Sequence, residues 1–260
     1  MKHCDSSAGL YARHAAVEGG ATQEMRGLKD RVAVVTGASR GIGLAIARGL
    51  VREGAEVMLV ARDRKALTVA KKKLGGKASA VAADVAQPAG VDRVFRQVKK
   101  RYSRLDVLVN CAGAFTYKPF SETTFEDWQR NIESNLTSVF LTTQAALPLF
   151  GRSRHAHLVN ILSVSSVQAF PNCSAYTAAK YGALGLTRVL REELRPQGIR
   201  VTAILPGLTD TRVLDAFGFE IPRSRVMQPE DVAEAVIAAL RQPPRTAVEE
   251  VLLMPSTGAV

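Results

Sequence analysis

The stretch Val32-Ala33-Val34-Val35-Thr36-Gly37-Ala38-Ser39-Arg40-Gly41-Ile42-Gly43 decides the fold of this chain. An apolar run leads directly into a turn that contains three glycines, and a helical pattern follows. Gly37 permits the tight turn, Gly41 lets the backbone approach a pyrophosphate, and Gly43 lets the helix pack closely on the sheet. The unpaired N–H groups at the start of that helix can then face the phosphates. The stretch therefore predicts a strand, a dinucleotide phosphate loop and a helix.

The rest of the chain repeats this alternation. Parallel strands are buried on both faces, and seven runs, six of them mostly apolar on both faces, fit that requirement: Val32–Thr36, Val57–Ala61, Ala78–Ala83, Val107–Asn110, His157–Ile161, Val201–Leu205 and Glu250–Met254. Helical patterns lie between them at 41–53, 63–74, 91–102, 124–150, 174–195 and 229–241. The alternation predicts an α/β fold, a Rossmann-like, doubly wound parallel sheet of seven strands in a single domain over residues 28–260.

Residues 1–27 differ from this pattern. They are rich in small and polar residues and lack sustained periodicity, so we expect a disordered N-terminal extension. Arginines leave a mitochondrial-type presequence as an alternative, against which the acidic residues Asp5, Glu18 and Glu24 count.

Composition excludes several classes of function. The net charge of +11 can attract anions, but no nucleic-acid-binding motif accompanies it, so no nucleic-acid partner is expected. No apolar run approaches the roughly 18 residues of a membrane span. The three cysteines and four histidines match no zinc or disulfide spacing, which predicts no metal site and reduced thiols in a cytoplasmic protein.

Further motifs follow the predicted strands in order. Asn110-Cys111-Ala112-Gly113 ends the fourth run, Ser163 follows the fifth, and Tyr176 and Lys180 form a Y-x-x-x-K pair. Pro206-Gly207 follows the sixth run. Together with the T-G-x-x-x-G-x-G loop, this series resembles the short-chain dehydrogenase/reductase family over most of the chain.

The resemblance implies a role for each matching residue. The expected catalytic residues are Asn135, Ser163, Tyr176 and Lys180. The expected cofactor-binding residues are Gly37, Ser39, Arg40, Gly41, Ile42, Gly43, Arg62, Asp84, Val85, Asn110, Ala112, Gly113, Tyr176, Lys180, Pro206, Gly207 and Thr211. Within this set the resemblance places Asp84 at the adenine, Lys180 at the nicotinamide ribose and Asn135 in a proton relay.

The Tyr176–Lys180 spacing has a chemical reason of its own. A phenol titrates near pH 10 when unperturbed, which is too high for a good base at neutral pH, and a nearby cation lowers that pKa. Residues four apart share one face of a helix, so we expect Lys180 to lower the pKa of Tyr176. Ser163 should donate a hydrogen bond to the substrate oxygen as negative charge develops there.

The end of the second predicted strand bears on the choice of cofactor. Folds that prefer NAD carry an acidic residue there, whereas this chain has Ala61 followed by Arg62. Arg62 and Arg40 could both bind a 2′-phosphate through charge-assisted hydrogen bonds, which predicts NADP(H). Asp63 is expected to cap the next helix instead.

These observations predict an enzyme that acts on a small carbonyl or alcohol, of the carbonyl reductase or 3-hydroxy-acid dehydrogenase type. Two alternatives remain open: a 3-oxoacyl-[acyl-carrier-protein] reductase, and a non-catalytic dinucleotide-sensing scaffold. By resemblance, a homotetramer or else a dimer is expected, with helices 124–150 and 174–195 at the interface. Phe115, Tyr117, Phe170 and Leu208 are expected to line an apolar substrate pocket under a short lid at 212–227, with Gly218 as a possible hinge.

Overall fold

The computed structural model of the protein describes residues 27–218 and 220–258. All but the last residue of the extension predicted over residues 1–27 lies outside the described residues. The seven strands are β1 (Val32–Thr36), β2 (Glu56–Ala61), β3 (Ala78–Ala82), β4 (Val107–Asn110), β5 (His157–Ile161), β6 (Arg200–Pro206) and β7 (Glu250–Leu253). They form one sheet in the order β3-β2-β1-β4-β5-β6-β7, and every neighbouring pair is parallel. The predicted fold class is therefore confirmed.

The described helices are α1 (Gly41–Arg52), α2 (Arg64–Leu74), α3 (Pro88–Tyr102), α4 (Phe125–Ile132), α5 (Ser138–Phe150), α6 (Ser174–Leu194) and α7 (Pro229–Leu240). None of the helices within this part of the chain is long and apolar enough to cross a membrane.

The sheet separates two apolar cores, because side chains alternate between its two faces. Val35 and Leu59 lie in a core together with residues of α1, α2 and α7. Val34 and Met58, each one residue earlier in its strand, lie in the opposite core with residues of α3 and α5. This arrangement explains why strands of the parallel sheet read as continuous apolar runs.

One predicted helix is interrupted. The pattern over 124–150 predicts a single helix, whereas the structure has α4, a π-helical turn at Glu133–Thr137, and α5. Within the turn, Asn135 donates from Nδ2 to Asn131 O at 3.0 Å and to Ala114 O at 2.8 Å. The second of these bonds directs the side chain out of the helix and toward the loop after β4. Single π turns of this kind often occur at functional sites.

A buried carboxylate, that of Asp106, binds the amino-terminal end of β1, at the opposite end of the strand from the glycine turn. Asp106 is 3% exposed and precedes β4. Its Oδ2 accepts from Val32 N at 2.7 Å and from Arg104 Nε at 3.1 Å, and its Oδ1 accepts from Ser153 Oγ at 2.5 Å. Burial lowers the pKa of Arg31, and the negative charge of Asp106 opposes that effect.

Replacing this carboxylate should destabilise the fold. Asp106→Ala leaves the Val32 N–H and the Ser153 hydroxyl without their acceptor and removes the negative charge near Arg31, so we expect a loss of about 3 kcal/mol in the free energy of unfolding. Glu234→Ala is the control, because Glu234 forms an exposed ion pair with Arg52 and should change stability by less than about 0.5 kcal/mol. Denaturant unfolding of both variants measures the difference, and equal stabilities would contradict this role of Asp106.

Candidate active site

The glycine turn between β1 and α1 has the shape that the sequence predicts. Gly37 and Gly41 have φ values of +68° and +52°, which side chains other than glycine rarely adopt. A Cβ atom on Gly43 would lie 2.5 Å from Gly37 O, so only glycine lets α1 begin this close to β1. Arg40 precedes α1, and no side chain caps the helix there. The first N–H groups of α1 therefore face the cleft without a capping side chain.

The cleft is a cavity of about 780 Å³ at the carboxyl ends of the strands. Most residues of the predicted site line it, namely Gly37, Ser39, Arg40, Gly41, Ile42, Gly43, Arg62, Asp84, Val85, Ala112, Gly113, Asn135, Tyr176, Lys180 and Thr211. Open α/β sheets bind their ligands at this edge. The structure therefore brings the residues of separate motifs into one space.

Asn110 lies elsewhere. It ends β4 as predicted, but its side chain is 4% exposed and points into the protein. Its Nδ2 donates to Asn160 Oδ1 at 3.0 Å and to Thr143 Oγ1 at 3.3 Å, while its Oδ1 accepts from Thr142 Oγ1 at 2.8 Å. The expected cofactor contact of Asn110 does not match this placement, because both polar atoms of its side chain already bind residues of β5 and α5.

Pro206 and Gly207 also lie outside the cleft lining. Gly207 N donates to Leu253 O at 2.7 Å. A Cβ atom on Gly207 would come within 3.0 Å of Met254 Sδ. The Pro-Gly pair thus packs against the end of β7, and Thr211 is the member of this motif that reaches the cleft.

Tyr176, Lys180 and Ser163 meet where α6 crosses the end of β5. Ser163 is buried and lies close enough to Tyr176 to lower the pKa of its phenol, but Ser163 is not among the residues that line the cleft. Its Oγ also accepts from Ser165 N at 3.1 Å. Lys180 Nζ donates to Ile161 O at 3.0 Å and lies 5.6 Å from the centre of the Tyr176 ring. The one-turn spacing on α6 places Tyr176 and Lys180 together, as predicted, and Ser163 joins them from the end of β5.

The electrostatics of this group differ from the expectation. Burial raises the pKa of Tyr176 to about 12, and the hydrogen bond from Ser163 offsets only part of that rise. Burial also lowers the pKa of Lys180 to about 8. The expectation that Lys180 lowers the pKa of Tyr176 below its ordinary value was wrong, because removal from water disfavours both charged forms and is the largest cause of each shift.

Asn135 faces the same region from the π turn. Its Oδ1 is buried and accepts no hydrogen bond within the described part of the chain. A Cβ atom on Gly113 would lie 2.6 Å from that oxygen, so glycine at position 113 leaves room for it. An oxygen without a partner in this position is available to a water molecule or a ligand group.

The predicted arginines line the cleft next to the glycine turn and the end of β2. Arg62 is exposed, and its Nη1 lies 3.9 Å from Asp84 Oδ2. Arg40 is also exposed. Asp63 caps α2 by accepting from Ala66 N at 3.0 Å, as predicted. Asp84 accepts from Ala86 N at 3.0 Å through its other oxygen.

Several residues that line the cleft were not predicted as site residues from the sequence: Val60, Ala83, Ala86, Cys111, Ala114, Ser134, Ser138, Ile161, Leu162, Arg212 and Val213. Most of them are direct chain neighbours of motif residues, which was the only available signal. Ser134 and Ser138 enter the cleft through the π turn, which periodicity did not predict.

The predicted apolar pocket is partly as expected. The Phe115 ring meets the Tyr176 ring edge-on, with centroids 4.9 Å apart. Tyr117 and Phe217 lie next to Phe115. Leu208 instead packs with Leu214 and other apolar residues at the base of the segment 212–227.

Comparison with known proteins identifies the family. Residues 31–218 match the family model described as short chain dehydrogenase. This match covers well over half of the 260 residues. The chain therefore belongs to the short-chain dehydrogenase family, and it is an oxidoreductase of that family.

Individual relatives agree with this assignment. An uncharacterized oxidoreductase of Staphylococcus aureus is 35% identical over 230 residues, which cover 88% of this chain and 98% of the relative. A structure of an alcohol dehydrogenase from the archaeon Thermococcus sibiricus, complexed with 5-hydroxy-NADP, is 30% identical with a TM-score of 0.81 and covers 89% of this chain and 99% of that one. A metagenomic short-chain oxidoreductase in complex with NADP is 33% identical with a TM-score of 0.77 and covers 88% of this chain and 98% of that one.

Proposed function

We propose that this protein is an NADP(H)-dependent oxidoreductase that interconverts a small carbonyl compound and its alcohol, of the carbonyl reductase or 3-hydroxy-acid dehydrogenase type. The observation that carries the proposal is the half-buried Tyr176 phenol, which lines the cleft beside Ser163 and is backed by Lys180. A dinucleotide-sensing scaffold would have no use for this arrangement.

The cleft fits an NADP(H) molecule. The backbone at Gly37, Gly41 and Gly43 leaves a cradle that side chains would fill, and the uncapped start of α1 faces it. Arg40 and Arg62 would hold the 2′-phosphate, a group that NADP has and NAD lacks. Two structural neighbours bind NADP or a derivative of it, which supports the same choice. When bound, the nicotinamide supplies or accepts the hydride.

The residues of the chain handle the proton. Tyr176 is neutral at physiological pH, because its pKa is about 12, so its hydroxyl can donate a proton to the oxygen of a carbonyl that receives a hydride. Ser163 would hold the same oxygen by a hydrogen bond. The Lys180 cation would stabilise the phenolate that remains, and Asn135 Oδ1 would hold a water molecule that returns the proton.

We further propose a homotetramer, or else a dimer, in the cytoplasm. Helices α4, α5 and α6 support the interface, because large apolar side chains on them are 40–47% exposed: Trp128, Phe140 and Tyr181. Exposed apolar side chains grouped on neighbouring elements are typical of interaction surfaces.

Loss of the phenol should abolish most of the activity. Tyr176→Phe keeps the ring and removes the titrating hydroxyl, so turnover should fall by at least the ~10²-fold typical of losing a general acid. NADPH affinity, measured by fluorescence titration, should change little. Tyr102→Phe is the matched control, since the Tyr102 hydroxyl bonds Ser79 at the far end of β3. If Tyr176→Phe keeps nearly full turnover, Tyr176 is not the proton donor.

The pH profile of carbonyl reduction should follow Lys180. Burial lowers the pKa of Lys180 to about 8, so its side chain is charged below that pH and neutral above it. Tyr176 stays protonated across this range. Stabilisation of the phenolate is therefore lost with rising pH, and kcat/KM should fall by up to about tenfold per pH unit above pH ~8. A flat profile to roughly pH 10, near the pKa of an ordinary lysine, would exclude this role.

Cofactor preference should depend on Arg62. A charge-assisted hydrogen bond is worth roughly 1.5–3 kcal/mol, and the low end applies to this exposed side chain, so Arg62→Ala should raise the KM for NADPH about tenfold. The KM for NADH should stay within roughly twofold, because the 2′-hydroxyl of NADH carries no charge to bind.

Steady-state kinetics with both cofactors measures this difference. Arg96→Ala removes another exposed arginine, one on α3 and outside the cleft lining, and it should leave both KM values unchanged. Equal losses for NADPH and NADH in Arg62→Ala would mean that Arg62 does not read the 2′-phosphate.

A further inference from the structure

Three aromatic rings from two separate segments meet beside the phenol of Tyr176. Phe115 and Tyr117 come from the loop after β4, and Phe217 comes from the 3₁₀ turn Arg212–Phe217 in the proposed lid. The Phe217 ring centre lies 5.4 Å from that of Phe115 and 4.8 Å from that of Tyr117. All three side chains are half-buried, so each keeps an accessible face. We call Phe115, Tyr117 and Phe217 the aromatic wall.

The loop that carries two of these rings is held firmly. Thr116, between them, is 6% exposed, and its Oγ1 accepts from Asn131 Nδ2 at 2.8 Å and from Arg130 Nη2 at 3.0 Å. The rings of Phe115 and Tyr117 flank this anchor, 6.4 Å apart and nearly parallel. Two side chains fixed in this way present a preformed apolar surface, which lowers the entropic cost of binding a flat group.

This surface reaches the reacting position. The Phe115 ring meets the Tyr176 ring edge-on at 4.9 Å and 86°, and both side chains line the cleft. A carbonyl oxygen that accepts a proton from Tyr176 must lie within about 3 Å of its hydroxyl. The group attached to that carbonyl carbon is therefore within reach of Phe115, the member of the aromatic wall that lines the cleft, and Tyr117 and Phe217 extend the wall from it.

Three of the cations near the aromatic wall are already paired. Lys118 Nζ lies 2.7 Å from Asp127 Oδ2, and Arg130 Nη2 lies 2.9 Å from Asp127 Oδ1. On the lid, Arg223 is paired with Asp210. A carboxylate on the substrate would have to compete with these aspartates for the paired cations, which favours an uncharged group at the wall. Arg212 lines the cleft and forms no ion pair among the described residues, so it is the cation that the acetoacetate test addresses.

We infer that the aromatic wall selects uncharged carbonyl compounds with an aromatic ring next to the carbonyl group, such as aryl ketones and the corresponding alcohols. The inference rests on the proposed function and names its substrate class. In the reduction, the carbonyl carbon would accept the hydride that bound NADPH supplies, the C=O π electrons would move to oxygen, and Tyr176 would give that oxygen its proton. The products are the alcohol and NADP⁺, and solvent reprotonates Tyr176.

The first arm of the experiment compares three probes on the parent enzyme with NADPH. Phenyl methyl ketone and cyclohexyl methyl ketone have the same carbon skeleton, but only the first has a flat π system. Aromatic pairs gain stability beyond area burial, so kcat/KM should be about tenfold higher for the phenyl ketone. Acetoacetate tests a carboxylate-bearing substrate. Equal values for the two ketones, or a preference for acetoacetate that Arg212→Ala removes, would overturn the inference.

The second arm changes the wall. Phe217→Leu keeps an apolar side chain but removes the lid's ring, and it should lower kcat/KM for the phenyl ketone about tenfold and for the cyclohexyl ketone by less than about threefold. Phe120→Leu is the matched control. Phe120 follows Phe115 and Tyr117 in the segment after β4, and it is 80% exposed. Equal losses for both ketones in Phe217→Leu would also overturn the inference.

Calorimetry separates the two proposals. Phenyl methyl ketone is titrated into the parent protein and Phe217→Leu, each saturated with NADP⁺. Ring-selective binding that Phe217→Leu weakens, without turnover of any carbonyl, would retain the aromatic wall and refute the oxidoreductase assignment. Turnover of ketones without a preference for the aromatic ring would retain the oxidoreductase assignment and refute the role of the aromatic wall. Absence of both binding and turnover would refute both.

Discussion

The close approach of two turns at the carboxyl edge of the sheet is the contact on which the site depends. Thr36, the last residue of β1, accepts through Oγ1 from both Cys111 N and Ala112 N at 3.0 Å. A Cβ atom on Gly37 would lie 2.9 Å from Cys111 O, so a larger residue would force the turns apart. One hydroxyl thus joins the phosphate loop to the loop that leads to the aromatic wall. This one contact between the two turns therefore sets the relative position of the surfaces that the two ends of a bound dinucleotide would meet.

A buried chain of polar side chains extends this rigidity beneath the cleft. Asn110 binds Asn160 on β5, and Asn160 Nδ2 donates to Thr187 Oγ1 on α6 at 2.9 Å. Thr142 joins the chain from α5. Each of these side chains is nearly inaccessible, and a fully hydrogen-bonded buried network favours one arrangement of the elements around it. Tyr176 and Lys180 lie on the same helix as Thr187, so the network contributes to their position relative to β5.

Most of the fold could be predicted from the sequence, because strands buried on both faces and helices buried on one face leave distinct patterns. The bounds of β1, β4 and β5 agree to the residue with the apolar runs. The π turn could not be predicted, because it depends on a hydrogen bond from Asn135 to Ala114, which is distant in sequence. The inward direction of Asn110 depends likewise on Thr142 and Asn160. Motif residues show where the chain reaches the cleft, while tertiary contacts decide which side chains point into it.

The pKa of Tyr176 is a further property that depends on tertiary structure and could not be predicted from the sequence. Spacing on α6 correctly places an amine one turn from a phenol, and from that alone the cation should favour phenolate. The sign of the shift depends on water, since removal from water raises the pKa of the half-buried Tyr176 to about 12 and lowers that of the buried Lys180 to about 8. A neutral phenol beside a lysine that titrates near neutral pH is suited to giving up a proton only when negative charge develops on a bound oxygen. Under the proposed function, the fold therefore keeps the phenol of Tyr176 protonated at rest and places the Lys180 cation where its charge would matter during the transfer.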